Sequence, residues 1–158
     1  ECLLDVRGGF TMHSPAFPRA AVYREASRHF YLARNSHTCH CSICKSVTGQ
    51  DTTHVVMFNH ADLEVDNLDS LNRQPFNEEN PDGPLELCTC STCGTPIMLD
   101  DKQRRIRVIV PNLMGYDSES MPATYHAFFD PSTGAQTPDD GRPVYDSLRP
   151  DFVWPEPA

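Results

Sequence analysis

The residues best suited to chemistry are cysteines, because six of the seven in the chain fall into two compact clusters. Both clusters have the pattern CxCxxC, and their members are Cys39, Cys41 and Cys44 in the first and Cys88, Cys90 and Cys93 in the second. Thiolate sulfur binds Zn²⁺ well, and a CxxC turn places two sulfurs near one metal while CxC adds a third from the adjoining strand. The two clusters therefore predict two zinc ions per chain.

The first cluster is predicted to hold a catalytic zinc. Three protein ligands with an open fourth position form the arrangement in which a catalytic zinc binds its substrate. The spacing leaves an alternative, a closed structural site whose fourth ligand is a distant residue such as a histidine.

The second cluster is predicted to hold a structural zinc. Cys2 is the one remaining thiol, and it can complete a four-sulfur site with Cys88, Cys90 and Cys93. Such a site would tie the amino-terminal strand to the middle of the sheet and stabilise the fold through metal binding. The alternative is that Cys2 or Cys88 is a buried apolar thiol and that the site uses fewer sulfurs.

The cysteine usage also favours a reduced protein over a disulfide framework. The count is odd, and the cysteines are clustered rather than dispersed. Bridges within CxC or CxxC are geometrically tight and would leave one thiol over. The chain is therefore predicted to be intracellular and cytoplasmic.

Length and composition indicate one soluble globular domain over residues 1–158. The chain is 39% hydrophobic and 22% charged, and it contains no apolar run of about 18 residues that could span a membrane. Its formal charge of -9 repels phosphate backbones, which argues against a nucleic-acid partner. We expect a small-molecule substrate and neither nucleic acid nor membrane as a partner.

The elements that must position the clusters are predicted to be mainly β-strands of antiparallel sheets, with little helix. The candidate strands are residues 29–33, 54–58, 63–65, 85–87, 97–99, 106–110 and 125–129. Fourteen prolines argue against long helices, so helix is predicted only at residues 42–47 and 19–28. A polar loop is predicted at about 66–84 and a Pro-rich segment at about 130–158, either as plain connections or as a lid.

Several stretches resemble one known family. They are CHCSICK at residues 39–45 with TG at 48–49, CSTCGTP at 90–96, and DSLRPDF at 146–152. Together they resemble the glutathione-dependent formaldehyde-activating enzyme family, which includes the centromere protein V group, over nearly the whole chain. The resemblance implies the Mss4-like β-tent fold, one structural and one catalytic zinc, and the joining of formaldehyde to the thiol of glutathione.

The resemblance also implies roles for individual cysteines. The implied catalytic ligands are Cys39, Cys41 and Cys44, and three of the four implied structural ligands are Cys2, Cys90 and Cys93. The family usually opens with CxCG, whereas here Leu4 stands where the second cysteine belongs. Leucine cannot bind zinc, so Cys88 is predicted to take the vacant position.

These features together predict a zinc-dependent carbon–sulfur lyase-type enzyme that resembles S-(hydroxymethyl)glutathione synthase and acts on glutathione or another thiol adduct. A hemithioacetal needs a proton shuttle as it forms or collapses. The predicted shuttles are His54, His126 and Tyr125, with His37 and Asp51 as further candidates. The alternatives are a zinc-dependent lyase or hydrolase of another small metabolite, such as a natural product, and a noncatalytic zinc-binding module.

Two sets of side chains correspond to two kinds of substrate. Anionic glutathione would need a cationic clamp, for which the candidates are Lys45, Arg34 and Arg73. An apolar natural product would instead need an aromatic pocket, for which the candidates are Phe58, Phe76, Phe128 and Trp154. The sequence leaves this choice open.

Overall fold

The structure is a computed structural model that describes residues 33–63, 65, 68–114 and 121–157. Over these residues the chain is mainly β, with a seven-stranded sheet and a short α-helix. The elements are β1 Ala33–Cys39, α1 Ser42–Thr48, β2 Thr53–Asn59, β3 Leu71–Pro75, β4 Leu85–Cys90, β5 Pro96–Asp101, β6 Ile106–Ile109 and β7 His126–Ala127. The prediction of a mainly β fold with little helix is confirmed.

The strand order in the sheet is β3-β4-β5-β6-β2-β1-β7. Five of its neighbouring pairs are antiparallel, whereas β1 and β7 run parallel. The sheet is therefore mixed, and the prediction of a purely antiparallel system is wrong at this one edge. β7 follows β6 along the chain but is separated from it in the sheet by β2 and β1, so it reaches the edge of β1 by a crossover and not through a hairpin.

Each face of the sheet buries its own hydrophobic cluster, because successive side chains along a strand point to opposite faces. Val55 and Met57 of β2 pack in one cluster with Cys39, and we call this side the triad face. Val56 and Phe58 pack in the other cluster, and we call that side the far face. The alternation of side chains in β2 thus places the first cysteine cluster on the triad face and a separate hydrophobic cluster on the far face.

Helix α1 starts and ends at residues that explain its short length. Cys41 is the N-cap, and its sulfur accepts a hydrogen bond from the backbone N–H of Cys44 at 3.3 Å. Gly49 ends the helix in the left-handed conformation with φ 69, and its N–H donates to the carbonyl of Lys45 at 2.8 Å. The predicted helix at 42–47 is confirmed, and the first cysteine cluster forms its amino-terminal end.

The predicted loop at 66–84 is wrong in part, because β3 (Leu71–Pro75) lies inside it. The middle three residues of this edge strand are exposed, so the strand lacks the apolar alternation by which strands are recognised. It is held by its backbone pairing with β4 and by the ion pairs of Arg73 with Glu86 and Asp100.

The strand predicted at 29–33 lies outside the described residues except for Ala33, where β1 begins, and the remainder of β1 to Cys39 was not predicted. Its inward positions are the polar residues Asn35 and His37, so hydrophobic patterning gave no signal there. At residues 63–65, Leu63 and Val65 lie outside the strands, because a 3-10 helix at His60–Asp62 turns the chain away from the sheet.

Three further expectations fall outside the described residues. They are the ligand Cys2, the substitution at Leu4 and the helix at 19–28. In the part of the chain that the structure describes, no helix has the length and apolar character needed to cross a membrane.

Candidate metal centre and its cavity

Three different local structures bring the first cysteine cluster together. Cys39 ends β1, Cys41 caps α1, and Cys44 lies in the first turn of that helix. Their three sulfur atoms all lie within 4.8 Å of one another. Sulfurs around a tetrahedral zinc are roughly 3.8 Å apart when each Zn–S bond is about 2.3 Å, so a small contraction suffices. This triad is a group that could hold a zinc ion.

The triad leaves room for a further ligand. Within the described ranges, no other histidine, cysteine, aspartate or glutamate places a ligand atom in this group. Cys39 and Cys44 are buried, while Cys41 is partly accessible. As far as the described residues reach, the arrangement favours an open three-thiolate site over the closed alternative.

The three thiols share hydrogen bonds in a way that concentrates negative charge on one sulfur. Hydrogen bonds from Cys39 and Cys44, and the backbone N–H of Cys44, lower the pKa of Cys41 to about 3. Donation to Cys41 in turn raises the pKa of Cys39 to about 12, and bonds to both neighbours raise that of Cys44. A cation placed among the three sulfurs would replace the shared protons, as metal binding to thiols requires.

His37 lies two residues before Cys39 on the same face of β1 and lines the same cavity. Its Nδ1 is 2.9 Å from Oδ1 of Asn35, and the hydroxyl of Tyr125 donates to that same oxygen at 2.9 Å. A carbonyl oxygen only accepts, so Nδ1 of His37 carries the proton and Nε2 is left with a lone pair. Burial lowers the pKa of His37 to about 4, which keeps the ring neutral at pH 7.

The predicted shuttle residues Tyr125 and His54 have other surroundings. Tyr125 is 2% exposed and does not line the cavity, but its hydroxyl and its ring, 5.2 Å from that of His37, hold the imidazole in place. His54 pairs with Thr38 in the sheet and bonds the Ser36 hydroxyl at 3.0 Å, so it lies on the face opposite the triad. Its role as a shuttle stays a prediction.

The third predicted shuttle, His126, belongs to a chain of hydrogen bonds beside the triad. Its Nε2 donates to the carboxylate of Asp140 at 3.1 Å, and its Nδ1 accepts from Nε2 of His40 at 2.9 Å. Arg142 forms an ion pair with the same carboxylate and also donates a hydrogen bond to the Thr38 hydroxyl. These hydrogen bonds thus anchor the short loop between Cys39 and Cys41 to the C-terminal segment.

Sequence reasoning missed Asp140 and Arg142. They lie in the Pro-rich segment that was interpreted as a connection or lid, and nothing in their spacing points to β1. The local signal for a turn at this point is Gly141, which lies between them and adopts φ 83, a backbone conformation that favours glycine.

A cavity of about 280 Å³ opens beside the triad. Its lining is almost wholly apolar apart from the three cysteines, His37 and Thr48. The aromatic candidates Phe76, Phe128 and Trp154 line it, as predicted for an apolar substrate. Phe58 does not, because the alternation of β2 turns its ring into the far-face cluster.

The cationic candidates lie elsewhere. Arg73 is engaged by Glu86 at 3.1 Å and Asp100 at 2.9 Å, and Arg34 donates to Asn59 at 3.0 Å. Lys45 is exposed on α1. Of the described residues that line the cavity, none is a lysine or an arginine.

The second cysteine cluster is arranged differently from the first. Cys88 and Cys90 are buried in the far-face cluster, whereas Cys93 is exposed with its sulfur 3.1 Å from the Thr95 hydroxyl. Burial raises the pKa of Cys88 to about 11. In the described part of the chain these three do not form a compact ligand group by themselves. The four-sulfur site depends on Cys2 and therefore stays a prediction.

A comparison with known protein families finds a match that covers the candidate site. Residues 27–130, more than half of the chain, match the family described as glutathione-dependent formaldehyde-activating enzyme. The matched range contains the triad, His37 and the second cysteine cluster. No curated protein matches the chain at a significant level.

Proposed function

The chain belongs to the glutathione-dependent formaldehyde-activating enzyme family. We propose that it joins a thiol to an aldehyde at a zinc ion held by Cys39, Cys41 and Cys44. Addition of R–SH to R′–CHO gives R–S–CH(OH)–R′, so an S–H bond breaks while a C–S and an O–H bond form. The reverse reaction makes the protein a carbon–sulfur lyase. Glutathione and formaldehyde, the reactants in the family's description, are the first pair to test.

One observation carries the proposal. The three sulfurs lie within 4.8 Å of one another, they line a cavity, and no described residue completes the group with a fourth ligand atom. The donor set suits zinc, because all three ligands are sulfur and one of them is already stabilised as a thiolate. Zinc bound there would supply a Lewis acid that lowers the pKa of a thiol and polarises a carbonyl.

His37 is the residue of this chain best placed to move the proton. Its Nε2 lone pair is free to accept the proton of the thiol, and its ring lines the cavity. With a pKa of about 4, His37 releases a proton readily to the carbonyl oxygen, and its taking the proton up depends on the zinc lowering the pKa of the thiol. In this proposal Asn35 and Tyr125 act on His37 by fixing its tautomer and orientation.

The other predicted shuttles take different parts. His126 acts as a positioning residue through its hydrogen bonds to His40 and Asp140, which anchor the ligand loop. His54 has no contact with the cavity among the described residues, and its proton transfer would need a path around the edge of the sheet.

The proposal is tested by exchange-detected proton NMR of glutathione with formaldehyde, with and without the zinc-loaded protein. We expect the protein to accelerate adduct formation above the spontaneous rate. Cys41→Ser should abolish the acceleration, because it removes a zinc ligand while the serine hydroxyl can still cap the helix. Ser46→Ala, a change of similar size at an exposed position of the same helix, serves as the matched control and should keep it.

The outcomes separate the candidate functions. Acceleration lost in Cys41→Ser but kept in Ser46→Ala supports thiol–aldehyde chemistry at the triad. A wild-type protein that holds zinc and accelerates no thiol–aldehyde pair would contradict the proposal, and it would leave the noncatalytic module or another metabolite as the function.

A further inference from the structure

The cavity beside the triad has one reactive end and an apolar remainder. The polar lining groups are the three cysteines, His37 and Thr48. The Thr48 hydroxyl is already used, since it donates to the carbonyl of Cys44 at 2.8 Å and lies 3.0 Å from the Thr53 hydroxyl. The polar groups that remain for a ligand therefore all belong to the triad and its neighbour His37.

The apolar part extends well away from the triad. Lining residues come from β1, β2, β6, β5 and β4, which are consecutive neighbours in the sheet. Five neighbouring strands cover roughly 19 Å, since adjacent strands are about 4.8 Å apart. Formaldehyde has a single carbon atom, so it would occupy only the reactive end.

The volume indicates the size of the missing group. An apolar cavity of about 150 Å³ is large enough to hold benzene. The cavity here is about 280 Å³, which corresponds to a six-membered ring with several further carbon atoms. Three aromatic side chains line it, and one of them, Trp154, is held in place by the guanidinium of Arg105, 4.5 Å from the centre of its ring.

The charge of the lining excludes a carboxylate from this space. No lysine or arginine is among the described lining residues, and Arg73 and Arg34 are engaged elsewhere. A buried carboxylate without a partner is costly, so the ionised peptide of glutathione cannot lie here. An apolar cavity that the described residues leave unfilled is costly too, because its lining atoms lose their packing contacts and water finds no hydrogen bonds there.

We propose that the aldehyde taken by this protein carries an apolar body of about the size of a substituted six-membered ring, bound in this cavity with its carbonyl carbon at the triad. The inference rests on the proposed function for the reaction itself. The balance is the same as before: the S–H bond of the thiol breaks, a C–S bond forms to the aldehyde carbon, and the proton moves to its oxygen. The peptide of a thiol such as glutathione remains outside the cavity.

The binding step is tested without turnover. Trp154 is the only tryptophan of the chain, and it lines the cavity, so its fluorescence reports on ligands there. The probe is cyclohexanemethanol, an apolar alcohol that cannot form the adduct. We expect a saturable change in the emission, and methanol should give none at the same concentrations.

The specificity step compares two aldehydes. We expect kcat/KM to be higher for cyclohexanecarbaldehyde than for acetaldehyde, with about three- to fourfold for each methylene group that becomes buried. Leu99→Phe, which narrows the cavity, should lower the ratio of the two kcat/KM values about tenfold. The matched control Leu71→Phe, a half-buried strand leucine that packs on the far-face cluster, should leave the ratio unchanged.

The possible results separate this inference from the proposed function. Saturable binding of cyclohexanemethanol that weakens in Leu99→Phe but not in Leu71→Phe supports the apolar site, even if no aldehyde is turned over. Acceleration of the formaldehyde reaction without any binding of the alcohol, and with no preference for the larger aldehyde, overturns the inference while the proposed function survives.

Discussion

At the scale of single residues, the inward positions of β1 explain how a polar strand can be stable and reactive. Asn35 and His37 are both buried, and each finds a hydrogen-bond partner in the other. The Asn35 carbonyl also accepts from Tyr125, and with the amide in this orientation the imidazole carries its proton on Nδ1. Burial alone would make these groups unfavourable, so their pairing is what allows a base to be held next to three sulfurs.

This arrangement predicts the effect of removing the imidazole. His37→Gln keeps an amide N–H that can bond Asn35 but loses the proton acceptor, so kcat should fall roughly 10²- to 10⁴-fold. Zinc content and KM should change little, because His37 is not part of the ligand group. Steady-state kinetics and metal analysis measure these effects.

Tyr125→Phe provides the comparison for His37→Gln. It removes the hydroxyl that fixes Asn35 but leaves the imidazole, so a smaller loss of kcat is expected. Equal losses in the two variants would mean that the phenol itself transfers the proton, in agreement with the original prediction for Tyr125.

The buried histidines also predict how stability depends on pH. Burial lowers the pKa of His37 from 6.5 to about 4, and desolvation lowers those of His40, His54 and His60 as well. Between these pH values the unfolded chain binds protons that the folded chain does not, so stability falls as the pH drops from 6.5 towards 4. For His37 the loss is roughly 3 kcal/mol at most, since one pKa unit corresponds to about 1.4 kcal/mol.

Urea unfolding of the zinc-loaded protein at pH 7 and pH 5 measures this dependence. The difference in the free energy of unfolding between the two pH values should be smaller in His37→Gln than in the wild type. Because both proteins lose zinc affinity in acid, the comparison cancels that contribution. An unchanged difference would show that His37 is protonated at an ordinary pKa in the folded protein.

At the scale of elements, the ligand loop is held from two sides. Helix α1 fixes Cys41 and Cys44 by its cap, and the hydrogen-bond chain from His40 through His126 to Asp140 fixes the loop from the other side. His126 also pairs with Thr38 through β7, so one residue connects the C-terminal segment to the end of β1. Loosening this chain should loosen the geometry of the three sulfurs.

His126→Ala should therefore weaken zinc binding by about tenfold, the lower end of the range for residues that orient metal ligands. Competition with a chromophoric chelator measures the affinity. His54→Ala makes the same chemical change at a residue that takes no part in these hydrogen bonds. This variant should bind zinc as the wild type does. A wild-type affinity in His126→Ala would mean that α1 alone positions the sulfurs.

The elements that could be predicted from the sequence are those with a local signal. Helix α1 and the apolar runs of β2, β4, β5 and β6 were all predicted in this way. Strand β3 was not, because an exposed edge strand needs no apolar side chains and is defined by its backbone pairing. Arg142 and Thr38 are 104 residues apart in the sequence, so no local pattern predicts their contact.

The candidate site could likewise be predicted only where the sequence carries a local signal. The triad was predicted from its spacing, because the three ligands lie within six residues and one helix start determines their geometry. The choice of His37 over His54 depended on which face of the sheet each residue occupies. That choice required the register of β1, whose polar inward residues conceal its alternation.

At the scale of the whole molecule, the two sheet faces have different tasks. The triad face holds the three sulfurs of the first cysteine cluster and the cavity, whereas the far face buries Cys88 and Cys90 in a hydrophobic cluster. A buried thiol with a pKa of about 11 stays protonated at pH 7 unless a cation compensates its charge. The proposal of a second zinc bound by Cys2, Cys88, Cys90 and Cys93 therefore has a distinct consequence for the number of metal ions.

Native mass spectrometry should find two zinc ions in the wild-type protein and one in Cys41→Ser. Cys88→Ser should also retain one, and it should unfold at a temperature several degrees lower, because the lost ion would be the one that ties the amino-terminal segment to β4. Two zinc ions in Cys88→Ser would mean that Cys88 is an apolar core thiol and that Leu4 has no replacement. The second zinc would then be bound by Cys2, Cys90 and Cys93 without Cys88, while the triad would keep the first zinc.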